Sequence, residues 1–210
     1  KPELLIQECG CCGLNSGKTG FVYSFASGFA APKLLWTTPF VRCGGGQSLT
    51  LVDVDGDKKL EVLLADSDHF ELFNGANGTR IGFSETTTSV WNQAHACRPF
   101  DIDGEKGEEL VCVLNSSDQP ADKQRRVTVL KYFTGVQMFH VLWSNVIAPD
   151  AGGDVRFVDP VVDLDGDGKA EVIVSGYTPG TGWSTHVMDA MTGADLVTPL
   201  NASNVAAPNA

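Results

Sequence analysis

Apolar residues come along this chain in short bursts, separated by turns rich in Gly, Asn and Asp. No long stretch carries the spacing of an amphipathic helix, so the pattern predicts strands and tight turns throughout. The stretch from Ser48 to Phe83 is the most regular. Ser48-Leu-Thr-Leu-Val52 is followed by an acidic loop, then by Leu60-Glu-Val-Leu-Leu64 and His69-Phe-Glu-Leu-Phe73. A turn with Asn74-Gly75 and Asn77-Gly78 comes next, then Thr79-Arg-Ile-Gly-Phe83. Asn-Gly pairs favour positive φ and tight hairpins, so the unit reads as four antiparallel strands.

The same unit recurs. Glu61, Glu109 and Glu171 are each followed by an apolar triplet, and Glu3-Leu-Leu-Ile6 begins with the same pattern. Aligned on these acids, the spacings are 58, 48 and 62 residues. A further repeat runs through Ala96–Phe100, Glu109–Val113, Arg126–Phe133 and His140–Trp143, and another through Val155–Val162, Glu171–Val174, Thr185–Asp189 and Asp195–Val197. The first repeat supplies Glu3–Ile6, Gly20–Phe25 and Lys33–Trp36, giving 15 predicted strands in all. Four-stranded antiparallel units repeating in this way are the sequence signature of β-propeller blades. The fold class expected is therefore all-β, with four propeller blades, the first truncated, forming one region over residues 1–210. The repeats span approximately 1–46, 47–94, 95–154 and 155–200, with 201–210 as a tail or linker. Lys1 falls at the seventh position of a loop whose acidic half is missing, so the chain is expected to be an excerpt of a larger propeller.

The acidic loops carry the candidate chemistry. Asp163-Leu-Asp-Gly-Asp-Gly-Lys-Ala-Glu171 places acids at its first, third, fifth and ninth positions. Asp53-Val-Asp-Gly-Asp-Lys-Lys-Leu-Glu61 is a close copy, and Asp101-Ile-Asp-Gly-Glu-Lys-Gly-Glu-Glu109 a looser one. Alternating carboxylates on a tight Gly-containing loop offer the many oxygens that Ca²⁺ requires. The ligands expected are the side chains of Asp53, Asp55, Asp57 and Glu61, of Asp101, Asp103, Glu105 and Glu109, and of Asp163, Asp165, Asp167 and Glu171. The main-chain carbonyls of Lys59, Gly107 and Lys169 join them at position seven. The bland alternative is a solvated acidic turn between strands. In the Asp101 loop the longer Glu105 shifts the ligand geometry and Glu108 adds a competing acid. An EF-hand is excluded, because position twelve holds Leu64, Cys112 or Val174 rather than a bidentate Glu, and the flanks have strand length.

Composition then narrows the setting. The 210 residues are 42% hydrophobic, enough to bury a core, and carry a net charge of -11. That charge argues against nucleic acid or an anionic membrane as partner, and no apolar run approaches the length of a membrane helix. Twelve of the 26 acids hold the ligand positions of the three loops, and three divalent ions would bring the net charge from -11 to -5. Six cysteines match no zinc spacing and fit an oxidising compartment, as do sequons at Asn77, Asn115 and Asn201. If the Asp101 loop closes a hairpin, Cys97 and Cys112 face each other across it, and a disulfide there is expected. Cys9, Cys11, Cys12 and Cys43 are left to pair among themselves.

The loops and their flanks resemble the FG-GAP/VCBS repeat family, the calcium-loop blades of integrin-α-like propellers. The resemblance covers nearly the whole chain and implies Ca²⁺ held between the first and second strands of blades. The Phe-Gly…Gly-Ala-Pro segment that names the family has only a vague counterpart. Blades with such a loop and a last strand ending in Leu-Trp, as at Leu35-Trp36 and Leu142-Trp143, also resemble calcium-dependent rhamnogalacturonan lyases. A lyase needs a base and converging cations. Lys and Arg total only 15, His69, His95, His140 and His186 are scattered, and no Ser-His-Asp constellation stands out. Trp36 and Trp143 read as blade packing, whereas Trp91 and Trp183 lie in polar contexts that suit exposed contacts. The function expected is a secreted, extracellular calcium-binding propeller module with a structural or adhesive role. Its partner would be a protein or glycan, or copies of itself. A polysaccharide lyase fragment and an integrin-like ligand-binding head are the alternatives.

Overall fold

The computed structural model describes residues 3–7, 20–27, 30–38, 48–65, 70–83, 94–115, 124–149 and 152–201. They form an all-β structure of propeller blades. Blade one has three strands, β1 (Glu3–Gln7), β2 (Gly20–Ser24) and β3 (Lys33–Thr37). Blade two has β4 (Ser48–Val52), β5 (Glu61–Ala65), β6 (Phe70–Asn74) and β7 (Arg80–Phe83). Blade three has β8 (Ala94–Phe100), β9 (Glu109–Asn115), β10 (Arg125–Phe133) and β11 (Met138–Ala148). Blade four has β12 (Asp154–Val162), β13 (Glu171–Thr178), β14 (Gly182–Asp189) and β15 (Leu200–Asn201). Within each blade the strands pair antiparallel in chain order. Among the described residues a single parallel pairing, Phe83 with Met138, joins the outer strands of blades two and three.

In blades two and three the second strand is buried on both faces, which explains its unbroken apolar run. In β9, Leu110 and Cys112 pack with Val52, Leu63 and Phe70 of blade two, while Val111 and Val113 pack with Val155, Val172 and Val174 of blade four. In β5, Leu63 faces blade three, and Val62 and Leu64 face Val22 and Trp36 of blade one. The core is thus a series of apolar layers, one between each consecutive pair of blades.

Two of these junctions share a device. Trp36 at the end of blade one donates its indole N–H to the Gly75 carbonyl, 2.9 Å away, in the β6–β7 turn of blade two. Trp143 of blade three donates likewise to Ala190 in the β14–β15 connection of blade four, at 2.8 Å. Each indole lies flat against a glycine with positive φ, Gly78 or Gly193, where an added Cβ would stand 2.6 Å from the ring. At the junction between blades two and three the contact runs the other way. Tyr132 of β10 donates its hydroxyl hydrogen to the Ile81 carbonyl at 2.8 Å.

Two expectations are corrected. The outer strand of blade four is Leu200–Asn201, opposite Thr185 and Ser184, and not Asp195–Val197. Asp195 makes one isolated bridge with Met188, and the Leu196 amide still donates to the Val187 carbonyl at 2.9 Å, but the exposed Leu196 and Val197 form no continuing strand. Pairing resumes only after Pro199, which has no N–H to give. Asn201 therefore belongs to a strand rather than to the tail.

Candidate metal loops

Each acidic loop links the first two strands of its blade. The ninth-position Glu opens the second strand and is buried: Glu61 is 4% exposed, Glu109 1% and Glu171 4%. One oxygen of each accepts the amide of loop position two. Val54 donates to Glu61 at 3.2 Å, Ile102 to Glu109 at 2.9 Å and Leu164 to Glu171 at 2.6 Å. The first-position Asp turns its oxygens to later amides, from Asp57 and Lys58 to Asp53 and from Gly166 and Gly168 to Asp163. Three carboxylates then converge in each loop, with oxygens within 4.8 Å of one another: Asp53, Asp55 and Asp57; Asp101, Asp103 and Glu109; Asp163, Asp165 and Glu171. Such clusters suit a hard divalent cation.

The fifth-position residues stand at the rim. Asp57 pairs with Lys59 at 2.5 Å, and Asp167 with Lys169 at 3.1 Å. The partner lysines hold both Asp carboxyls below their ordinary value, by side-chain and backbone hydrogen bonds. Glu61 shows the opposite effect. Burial, opposed by the Val54 hydrogen bond but reinforced by Asp55, Asp53 and Asp57, pushes it up to about 7.

The Asp53 and Asp163 loops share a backbone path with positive φ at positions four and six: 65° at Gly56 and 67° at Lys58, 79° at Gly166 and 85° at Gly168. The Asp101 loop instead has it at positions four and seven, 71° at Gly104 and 99° at Gly107. Its content differs as well. Lys131, from β10, places its ammonium against Asp103, 3.1 Å from Glu105 and 3.2 Å from Glu109. The Glu109 contact is an ion pair without hydrogen-bond alignment, and Glu109 Oε1 has no hydrogen-bond partner. Burial opposes the charge on Lys131, but its contacts with the three carboxylates outweigh it and raise its pKa above the ordinary value. Burial likewise works to raise Asp103, and the bond from Lys131 turns the net shift downward.

Glu108, expected to compete within its own loop, reaches the neighbouring one. Its carboxylate accepts the Asp53 amide at 2.8 Å, while the Glu108 amide donates to the Asp53 carbonyl at 2.9 Å. Gly107 fits against the Val54 carbonyl, which an added Cβ would meet at 2.4 Å. The Asp53 and Asp101 loops are therefore docked to each other. Beside them a cleft of about 260 Å³ is lined by Asp55, Asp57, Glu61, Asn74, Tyr132 and Gln137.

Other candidate residues are placed as follows. Cys97 and Cys112 are directly opposed in the β8–β9 register and joined by a disulfide. Asn77 is exposed in the β6–β7 turn, its side-chain oxygen accepting the Thr79 amide; Asn201 is half-buried in β15. Asn115 ends β9, but its side chain, those of His95 and Glu3, and residues Cys9, Cys11, Cys12, Cys43, His69 and Trp91 lie outside the described residues. Trp183 is 47% exposed, beside Tyr177 and under the Arg156 guanidinium.

The structure also assembles a Ser-His-Asp line that sequence reading missed. His186 lies 3.3 Å from the Ser184 hydroxyl and 3.2 Å from Asp195. Ser184 and His186 alternate along β14, and Asp195 is brought in by its bridge to Met188. Ser184 sits mid-ladder between Gly176 and Asn201, on extended backbone rather than on the strained turn that exposes a nucleophile. The line serves to orient a half-buried histidine. His140 packs edge-on against Phe133 at the surface.

No family model matches the chain, and no curated protein matches its sequence. Solved structures do match. An exotype rhamnogalacturonan lyase, YesX, is similar over 93% of this chain and 46% of its own, with 15% identity and a TM-score of 0.53. A Lactobacillus plantarum protein is similar over 86% of this chain and 50% of its own, with 16% identity and a TM-score of 0.49. An Agrocybe aegerita lectin that recognises terminal N-acetylglucosamine is similar over 85% and 45%, with 15% identity and a TM-score of 0.47. The chain spans half or less of each of these proteins. At 15% identity the likeness to the lyase is one of fold alone.

Proposed function

We propose that this chain is a secreted calcium-binding β-propeller module of the FG-GAP/VCBS repeat kind, with a structural or adhesive role. The observation that carries the reading is the convergence of three carboxylates in each loop, a set that includes the buried ninth-position Glu in the Asp101 and Asp163 loops. Calcium acts here by neutralising the acids and fixing the loops that join first and second strands. It is not asked to do chemistry. The Cys97–Cys112 disulfide supports an oxidising, extracellular setting. The partner is a protein or glycan ligand, or further copies of the chain.

The test is a thermal melt with and without chelator. Chelation lowers the melting temperature and added Ca²⁺ restores it; a curve indifferent to both would sink the calcium reading. A rhamnogalacturonan lyase fragment is the second reading, supported by the fold likeness over 93% of the chain. It predicts an unsaturated product absorbing in the ultraviolet on pectic substrates, and silence in that assay leaves the binding module.

A further inference from the structure

The strand register puts one residue of the third strand opposite each buried ninth-position Glu. Glu61 faces Asn74, and Glu171 faces Asp189. In blade three Leu110 faces Leu130, so the next step of the antiparallel ladder sets Lys131 against Glu109. Two of the three places thus hold an oxygen-bearing side chain that folds back onto its own turn. Asn74 accepts the Ala76 amide at 3.0 Å, and Asp189 accepts the Thr192 amide and hydroxyl at 2.7 and 2.8 Å. The third holds a four-carbon arm ending in an ammonium.

That arm reaches the centre of the loop. It touches Asp103, Glu105 and Glu109, two of which belong to the convergent carboxylate set. Lys131, Asp103 and Glu109 side chains are all largely buried, at 16%, 15% and 1% exposure. The buried Oε1 of Glu109, without a hydrogen-bond partner, points at this ammonium. A divalent ion bound by Asp103 and Glu109 would need the same space, and two cations sharing those oxygens repel.

We infer that Lys131 is the resident cation of the Asp101 loop, so that this loop takes no metal while the Asp53 and Asp163 loops each take one Ca²⁺. Blade three carries its counter-ion covalently, and blades two and four take theirs from solution. The metal count rests on the calcium reading above; the role of Lys131 as counter-ion does not.

Calcium stoichiometry of the whole chain, measured by titration calorimetry, tests the inference, with melting in chelator as the second readout. Wild type binds two ions. Lys131→Asn, which copies blade two, binds three, melts lower than wild type in chelator and regains more on adding Ca²⁺. Lys131→Arg binds two. Asp103→Asn leaves the wild-type count at two, whereas Asp165→Asn lowers it to one, so the question stays decidable even if Lys131→Asn fails to fold. A wild-type count of three, or a folded Lys131→Asn that still binds two, overturns the inference and spares the calcium reading. A wild-type count of zero removes the calcium reading instead. Lys131 is then judged by Lys131→Asn in chelator: a lower melting point keeps it as the loop's counter-ion, and an unchanged one ends that role.

Discussion

The Asp53 and Asp163 loops and the Asp101 loop hold the same problem, a buried glutamate among aspartates, and treat it differently. The first two keep their lysines on the rim, where Lys59 and Lys169 pair with the fifth-position Asp and leave the interior carboxylates facing one another. The third draws Lys131 from a neighbouring strand into the interior. The backbone follows the difference, with the second left-handed residue at position six in the first pair and at position seven in the third. Near-identical motifs thus differ in what fills them because of a residue outside the motif, across the ladder from its last acid.

The largest effect that separates the two kinds of loop is expected from Lys131→Met. It strands Glu109 without its charge partner, and breaking such a pair costs about 3–5 kcal/mol. The loss should appear in urea unfolding in the presence of chelator, and a change below about 1 kcal/mol would put the ammonium outside the loop's energetics. Next comes calcium itself. Each occupied loop adds about 2.7 kcal/mol when free Ca²⁺ is a hundredfold above Kd. Asp165→Asn should erase one such increment, whereas Asp103→Asn should leave the calcium-dependent part of stability untouched. Equal loss of calcium response in the two variants would mean the loops are alike.

The pH dependence follows with a smaller amplitude. Glu61 is raised from 4.5 to about 7 in the folded chain, so folding favours its protonated form. Its contribution is full below about 4.5 and is lost as pH rises towards 7. Metal-free protein should thus lose stability over that window, and Ca²⁺ should flatten the slope. Urea midpoints across the window, with and without the ion, check this; a slope that persists in Ca²⁺ would place Glu61 outside the metal's reach. The smallest effect is Trp143→Phe, which keeps most of the ring but removes the bond to Ala190, at about 1 kcal/mol. Denaturant midpoints read it, and a loss above about 3 kcal/mol would show that packing, not the bond, dominates that junction.

Much of this architecture could be read along the chain, because β5, β9 and β13 each announce themselves twice, by the acid that opens the strand and by the apolar run that follows it. The Cys97–Cys112 pairing was legible for the same reason: a loop of known position fixes which residues oppose each other. Blade four's outer strand was not, since Leu196 and Val197 look like a strand while the chain makes only an isolated bridge there and pairs again at Leu200. The role of Lys131 left a trace that counting along the ladder would have found, opposite Glu109 where the other blades hold Asn74 and Asp189. Glu108 left none. Its bond to the Asp53 amide exists only once two blades have docked, and no local pattern encodes that distance.

The indole bonds of Trp36 and Trp143 bear on how the molecule comes apart. Each joins the outer strand of one blade to a turn of the following one, across residues 39 and 47 positions apart in sequence. Blades one and two are thereby one mechanical couple, and blades three and four another, with a differently built seam between them. Under force or in denaturant such an array behaves as a chain of nearest-neighbour links. The seam between the couples, where Tyr132 bonds back to Ile81 and two acidic loops are held together through Glu108, is where calcium would decide whether the couples yield singly or together.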